Sequence, residues 1–174
     1  MVLKTVLAAA ALAAICAQDK IDNPEYKNWS GCKADSWVTM KMETEMGPMK
    51  SVMEQTHKLV EISADKAVVE TSGKMTAPAA ADLPPTKREI PAKVDKQEPP
   101  ADAPKPEVKE GDEEIEVGGK KVKCHWVETN TEVNGVKTWT KIWSCQDIPG
   151  GVARMETKSD QMSMNSSATG WEKK

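Results

Sequence analysis

Methionine, cysteine and histidine are the residues in this chain whose types and spacing could do chemistry. Ten methionines stand in 174 residues that contain no phenylalanine. Met40-Lys41-Met42 and Met162-Ser163-Met164 have the spacing that places two thioethers on one face of a strand. Thioether sulfur is a soft donor suited to Cu(I), so a periplasmic copper site is one reading of these pairs. His57 lies four strand residues from Met53, about 13 Å, too far to share a metal with it. The preferred reading is plainer: methionine is flexible and polarisable, and fills irregular apolar space in a chain without phenylalanine.

The cysteines and histidines suggest no catalyst. Cys124 and His125 are adjacent, so on a strand they point to opposite faces, and no C-x-x-C pair exists to build a zinc site. His125 and Ser144 can meet across a hairpin, but no G-x-S-x-G elbow presents the serine; the expectation is a structural contact. No carboxylate dyad stands apart from lysine, and no glycine-rich phosphate loop follows a strand. The expectation is a non-catalytic protein without a cofactor or a His/Cys metal centre.

The elements that must position these residues are strands. Residues 36–75 and 113–172 alternate apolar and polar with period two, and helical spacing is nearly absent after the N-terminus. Predicted strands are 36–46, 49–62, 66–75, 113–117, 120–133, 136–145, 151–158 and 161–171. Gly47-Pro48, Gly118-Gly119 and Asn134-Gly135 supply hairpin turns, and Pro149-Gly150-Gly151 ends another strand. Residues 18–35 form a lead-in. Residues 76–112 hold most of the chain's eleven prolines among Ala, Lys, Glu and Asp. That composition buries little and predicts a disordered insertion, with Ile90 to Val94 as its one short edge strand.

The two ordered halves echo each other. Thr44-Glu45-Met46-Gly47-Pro48-Met49-Lys50-Ser51 matches Thr131-Glu132-Val133-Asn134-Gly135-Val136-Lys137-Thr138 in residue type except at the turn. One sheet of two meander repeats follows, within one domain. A two-residue turn also fixes register. It sets Trp126 against Trp143 and Cys124 against Cys145, on the alternation where side chains approach most closely. Cys124–Cys145 is therefore the predicted disulfide. In the first hairpin, Glu45 facing Lys50 and Lys41 facing Glu54 mark the solvent face. Val38, Met40, Met42, Met49 and Met53 then share a soft inner face, the candidate ligand-binding surface. The matching inner face of the second hairpin is read as His125/Ser144, Val127/Ile142, Thr129/Thr140, Thr131/Thr138 and Val133/Val136. No amphipathic helix is predicted to cover either face, so the sheet curls or leaves a groove.

Met1 to Ala17 carries Lys4, an apolar core and small residues, the pattern of a cleavable export signal. The chain is expected in the periplasm or outside the cell. Cys16 offers lipidation as the single route to membrane contact, although bulky Ile15 precedes it. Cys32 is left as an odd thiol, and Asn28 and Asn165 match glycosylation acceptors. Net charge is −3 with both signs mixed along the chain, which excludes the basic footprint of a nucleic-acid binder.

Ser36-Trp37-Val38, Val117-Gly118-Gly119-Lys120-Lys121-Val122-Lys123-Cys124, Lys141-Ile142-Trp143-Ser144, Ile148-Pro149-Gly150-Gly151-Val152 and Met155-Glu156-Thr157 together resemble a set of uncharacterised exported bacterial β-proteins, over about residues 32–158. In architecture alone the chain is similar to the half-barrel of lipoprotein-sorting and periplasmic lipid-carrier proteins, and this likeness implies a lipid cradle on the methionine-lined face. It departs from those carriers in showing no helices to plug the half-barrel. The combined expectation is an all-β fold: a curved antiparallel sheet, half-barrel or open barrel, with a disordered insertion and a signal peptide. Its function would be to bind a hydrophobic or lipid-like molecule, or a protein partner. A structural envelope protein without ligand is the alternative, and copper binding the next.

Overall fold

A computed structural model describes residues 20–96, 106–133 and 135–174. The expected signal segment, Cys16, residues 97–105 in the proline-rich tract, and Asn134 lie outside the described residues. The chain runs β1 (Lys20–Asp22), α1 (Pro24–Ser30), β2 (Trp37–Met46), β3 (Met49–Ile62), β4 (Lys66–Ala77), β5 (Ala81–Pro91), β6 (Lys93–Asp95), β7 (Glu107–Val117), β8 (Lys120–Val133), β9 (Val136–Ser144), β10 (Val152–Ser159) and β11 (Met162–Glu172). Nine strands form one curved antiparallel sheet in the order β5-β4-β3-β2-β11-β10-β9-β8-β7; β1 and β6 form a separate pair. The sheet is not closed. Its two meanders meet where β2 pairs with β11, and β5 and β7 are the free edges.

Turn chemistry accounts for the hairpins. Gly47 at φ 57° opens the β2–β3 turn, and Gly118 and Gly119 are both at positive φ between β7 and β8. The resulting registers are those expected: Met46 opposite Met49 through Trp37 opposite Lys58, and Val133 opposite Val136 through His125 opposite Ser144.

The proline-rich tract requires a correction. It is not disordered along its length: residues 81–91 and 93–95 are strand, and β7 begins at Glu107, within the expected insertion. Proline is tolerated on an edge strand because its missing N–H can face away from the ladder. Pro84 and Pro85 sit where the β4–β5 register shifts between Thr71 and Gly73, so neither must donate to β4.

The lead-in requires another. Asn23 caps α1 by accepting from the Glu25 N–H at 3.0 Å, and its Nδ2 donates to the Pro91 carbonyl at 2.8 Å. Pro24 occupies the first turn, where a missing N–H costs nothing. This short helix buries Trp29 against the sheet.

Burial switches sides along the sheet. Directly opposed residues share a face, so register identifies each face. One ladder reads Met75, Met53, Met42, Ser166, Met155, Ile142, Val127 across β4-β3-β2-β11-β10-β9-β8. The next reads Lys74, Glu54, Lys41, Ser167, Arg154, Trp143, Trp126 on the other face. In the first half the buried residues Val38, Leu59, Val69 and Ile90 lie on the first of these faces. In the second half the buried residues Val122, Cys124 and Trp143 lie on the second. The expected inner face of the second hairpin is therefore corrected. His125 and Ser144 are exposed, and the tryptophan–cysteine side faces inward. The curl that covers it brings the β7–β8 turn back to β11. An added Cβ on Gly118 would lie 2.9 Å from the Thr169 carbonyl oxygen, and Lys120 Nζ sits 5.1 Å over the Trp171 ring.

Candidate functional site

The methionines do not form the core. None of the fully buried hydrophobic side chains among the described residues is methionine. Where the sheet is sealed, the sequence supplies Val38, Leu59, Val69, Ile90, Trp29 and Ile148. Every methionine after Met1 lies instead on one face, the methionine face: Met40, Met42 and Met46 on β2, Met49 and Met53 on β3, Met75 on β4, Met155 on β10, Met162 and Met164 on β11. Most are half-buried; Met46 and Met49, at the hairpin tip, are 48% and 66% exposed.

One end of this face is roofed. α1 and the loop before β10 cover a cavity of about 220 Å³, lined by Val38, Met40, Met42, His57, Val69 and Ser166 below and by Trp29, Pro149 and Gly150 above. The roof is fastened by close packing. An added Cβ on Gly150 would lie 3.0 Å from the Trp29 ring, and one on Gly151 would lie 2.6 Å from Asn28 Cγ. Glu25 on α1 and Arg88 on β5 close the rim as a two-pronged ion pair, with Arg88 Nη1 2.8 Å from Glu25 Oε2. Arg88 holds the Glu25 carboxyl below the usual carboxylate range. His57 places Nδ1 2.9 Å from Thr71 Oγ1 at the cavity wall. Burial, reinforced by nearby Arg88, pushes its pKa down from the ordinary value.

Of the five residues expected to bind ligand, Val38, Met40 and Met42 come together in this cavity. Met53 lies beside Met42 on the same face, and Met49 lies at the tip, away from the cavity. Sequence reasoning missed Trp29, Arg88 and Pro149 because they come from a helix, an edge strand and a loop that alternation does not report.

Cys124 and Cys145 are both 2% exposed and are free thiols in this structure. Burial and the adjacent Cys145 thiol, with Glu113 and Asp147 beyond, push the Cys124 thiol up to about 12. Trp143 donates to Glu113 Oε2 at 2.9 Å, and Lys141 Nζ lies 4.1 Å from the Trp126 ring and 4.7 Å from the Trp143 ring. Cys32 is buried as well. His125, opposite Ser144 in the ladder, places Nδ1 3.1 Å from Asp112 Oδ1.

No family model matches this chain, and no curated protein or solved structure compared with it is detectably similar.

Proposed function

We propose that this chain is an exported, non-catalytic binding protein that cradles a lipid-like apolar ligand on its methionine face. The observation that carries the reading is the division of labour among apolar residues. Branched aliphatics and tryptophan seal the core, while methionine is reserved for a half-open face. An unbranched, polarisable side chain suits a surface that must repack around a flexible ligand. A closed pocket for a drug-sized ligand needs about 300–1,000 Å³. The roofed cavity is smaller, so it holds one end of the ligand while the rest lies along Met40, Met42 and Met53. The export signal expected from Met1 to Ala17 agrees with this cargo. In an oxidising compartment the Cys124–Cys145 disulfide would lock the second hairpin, adding about 3 kcal/mol for a loop of this length.

The test uses brominated fatty acid and intrinsic tryptophan fluorescence. Trp29 at the cavity roof is expected to be quenched with saturation. Val38→Arg, which places a charge in the cavity floor, is expected to abolish the quenching while the far-UV spectrum stays unchanged. Unsaturable quenching, or quenching that survives Val38→Arg in folded protein, would leave the envelope protein without ligand as the better account. For the disulfide, reduction of protein isolated from an oxidising compartment adds about 2 Da if the bond is present.

A further inference from the structure

We infer that Met42, Met53 and Met75 form a Cu(I) site on the unroofed part of the methionine face. The three stand directly opposed on adjacent strands, Met42 opposite Met53 and Met53 opposite Met75, with the β3–β4 register shifting only beyond Met53, between Val52 and Met53. Directly opposed side chains start about 4.5–5.5 Å apart at Cβ, and each methionine has three further rotatable bonds. The two outer thioethers can therefore converge on the central one and give three neutral sulfur donors, a set that selects Cu(I) over hard divalent ions. The surroundings favour the same ion. The flanking positions on this face are Met40, Gln55 and Gly73 on one side and Thr44 and Ser51 on the other, none of them charged. The ionic residues of these strands, Lys41, Glu54 and Lys74, lie on the opposite face. Among the described residues no three His, Cys, Asp or Glu side chains are arranged to hold a metal and compete. All three methionines are half-buried: accessible to an incoming ion, yet not free in solvent. Sequence spacing points instead to Met40/Met42 and Met162/Met164 pairs within one strand, whose members stand about 7 Å apart along it.

This site goes beyond the lipid reading, because an apolar cradle needs only apolar bulk whereas a copper site needs sulfur. Met75→Leu, at a position outside the ligand path, separates the two. The full chain is titrated anaerobically with Cu(I) against bicinchoninate. Wild type is expected to hold one equivalent at least about tenfold more tightly than the variant. The variant is expected to keep the fatty-acid quenching of Trp29, so failure of one reading leaves the other standing. Equal copper affinity in both proteins would overturn the site and assign the metal to thiols. No uptake by wild type would overturn it outright. A second measurement does not depend on the variant folding: Cu(I) added to wild type labelled at the methionine methyl carbons is expected to shift Met42, Met53 and Met75 together. Shifts confined to other methionines, or to none, would overturn the proposal.

Discussion

His57 is the residue at which this fold registers mild acid. Burial depresses its pKa below the ordinary 6.5, with Arg88 adding to the effect and Glu25 opposing it. The unfolded chain therefore binds a proton before the folded chain does as pH falls. The stability that neutral His57 contributes is whole above 6.5 and is lost as pH drops below that value. Glu25 acts in a separate window: its depressed pKa gives a contribution present above 4.5 and lost as pH falls further. Urea unfolding at about pH 7 and about pH 5 should show a lower midpoint at the acid end, and His57→Gln should flatten that difference. An unchanged slope in the variant would place the acid sensitivity elsewhere. Cys124 reports the alkaline side. Its thiol is raised from 9.0 to about 12, so in the reduced protein stability should fall as pH rises above 9. There the unfolded thiol ionises and the buried one does not. Formation of the Cys124–Cys145 bond should remove that loss, which the same unfolding assay on oxidised protein checks. At this scale the sequence was informative about pairing and less so about environment. Turn length alone brings Cys124 to Cys145, but no spacing shows that His57 is half-buried near a guanidinium from β5.

At the scale of elements, the roof over the methionine face is the part that periodicity concealed. A seven-residue helix spans two turns, too short to display a 3.6-residue pattern. Its signals were local ones: Asn23 before Pro24, and Tyr26 with Trp29 three residues apart. The strand β5 was hidden for a different reason. Its prolines carry the composition of disorder, while the register shift that tolerates them exists only once β4 is alongside. Apart from β5, the long strands between Trp37 and Glu172 were legible, β7 only from residue 113 onward, because period-two alternation and glycine turns agree there. The roof yields two predictions. Trp29→Ala removes its largest buried side chain and should cost about 3–5 kcal/mol. Gly151→Ala meets two obstacles at once, a φ of 76° and the Asn28 side chain at 2.6 Å. It should cost at least about 1 kcal/mol and loosen α1, seen as faster amide exchange across Pro24–Ser30. Gly119→Ala also has positive φ but nothing within 4 Å, so it isolates the backbone share of that cost.

For the whole molecule, the change of buried face explains how one sheet can be both core and open surface. A flat nine-stranded sheet covered only by a short helix would leave most of both faces wet. Here the first meander seals one face beneath α1 and the Pro149-Gly150-Gly151 loop. The second seals the other by curling the β7–β8 turn onto β11. Beyond that roof the methionine face is left open along β4-β3-β2-β11-β10. The opposite face of the same strands carries ion pairs such as Lys74–Glu54 at 3.3 Å, each worth about 0–1 kcal/mol. Such pairs keep that face in water and contribute little stability. If the switch is correct, equivalent truncations on the two faces have unequal effects, and the inequality reverses between halves. In the second half, Val122→Ala on the tryptophan side should cost about 2 kcal/mol, because Val122 is 5% exposed. Val108→Ala on the methionine side, where Val108 is 53% exposed, should stay within about 0.5 kcal/mol. In the first half the costly truncation moves across the sheet to Val38, 3% exposed on the methionine side, while Val52, half-buried on the ionic side, should cost less. Chemical denaturation of the four variants decides the matter. A second-half pair with equal costs, or with Val108 the more damaging, would mean that the sheet buries one face throughout and that the methionine surface is covered.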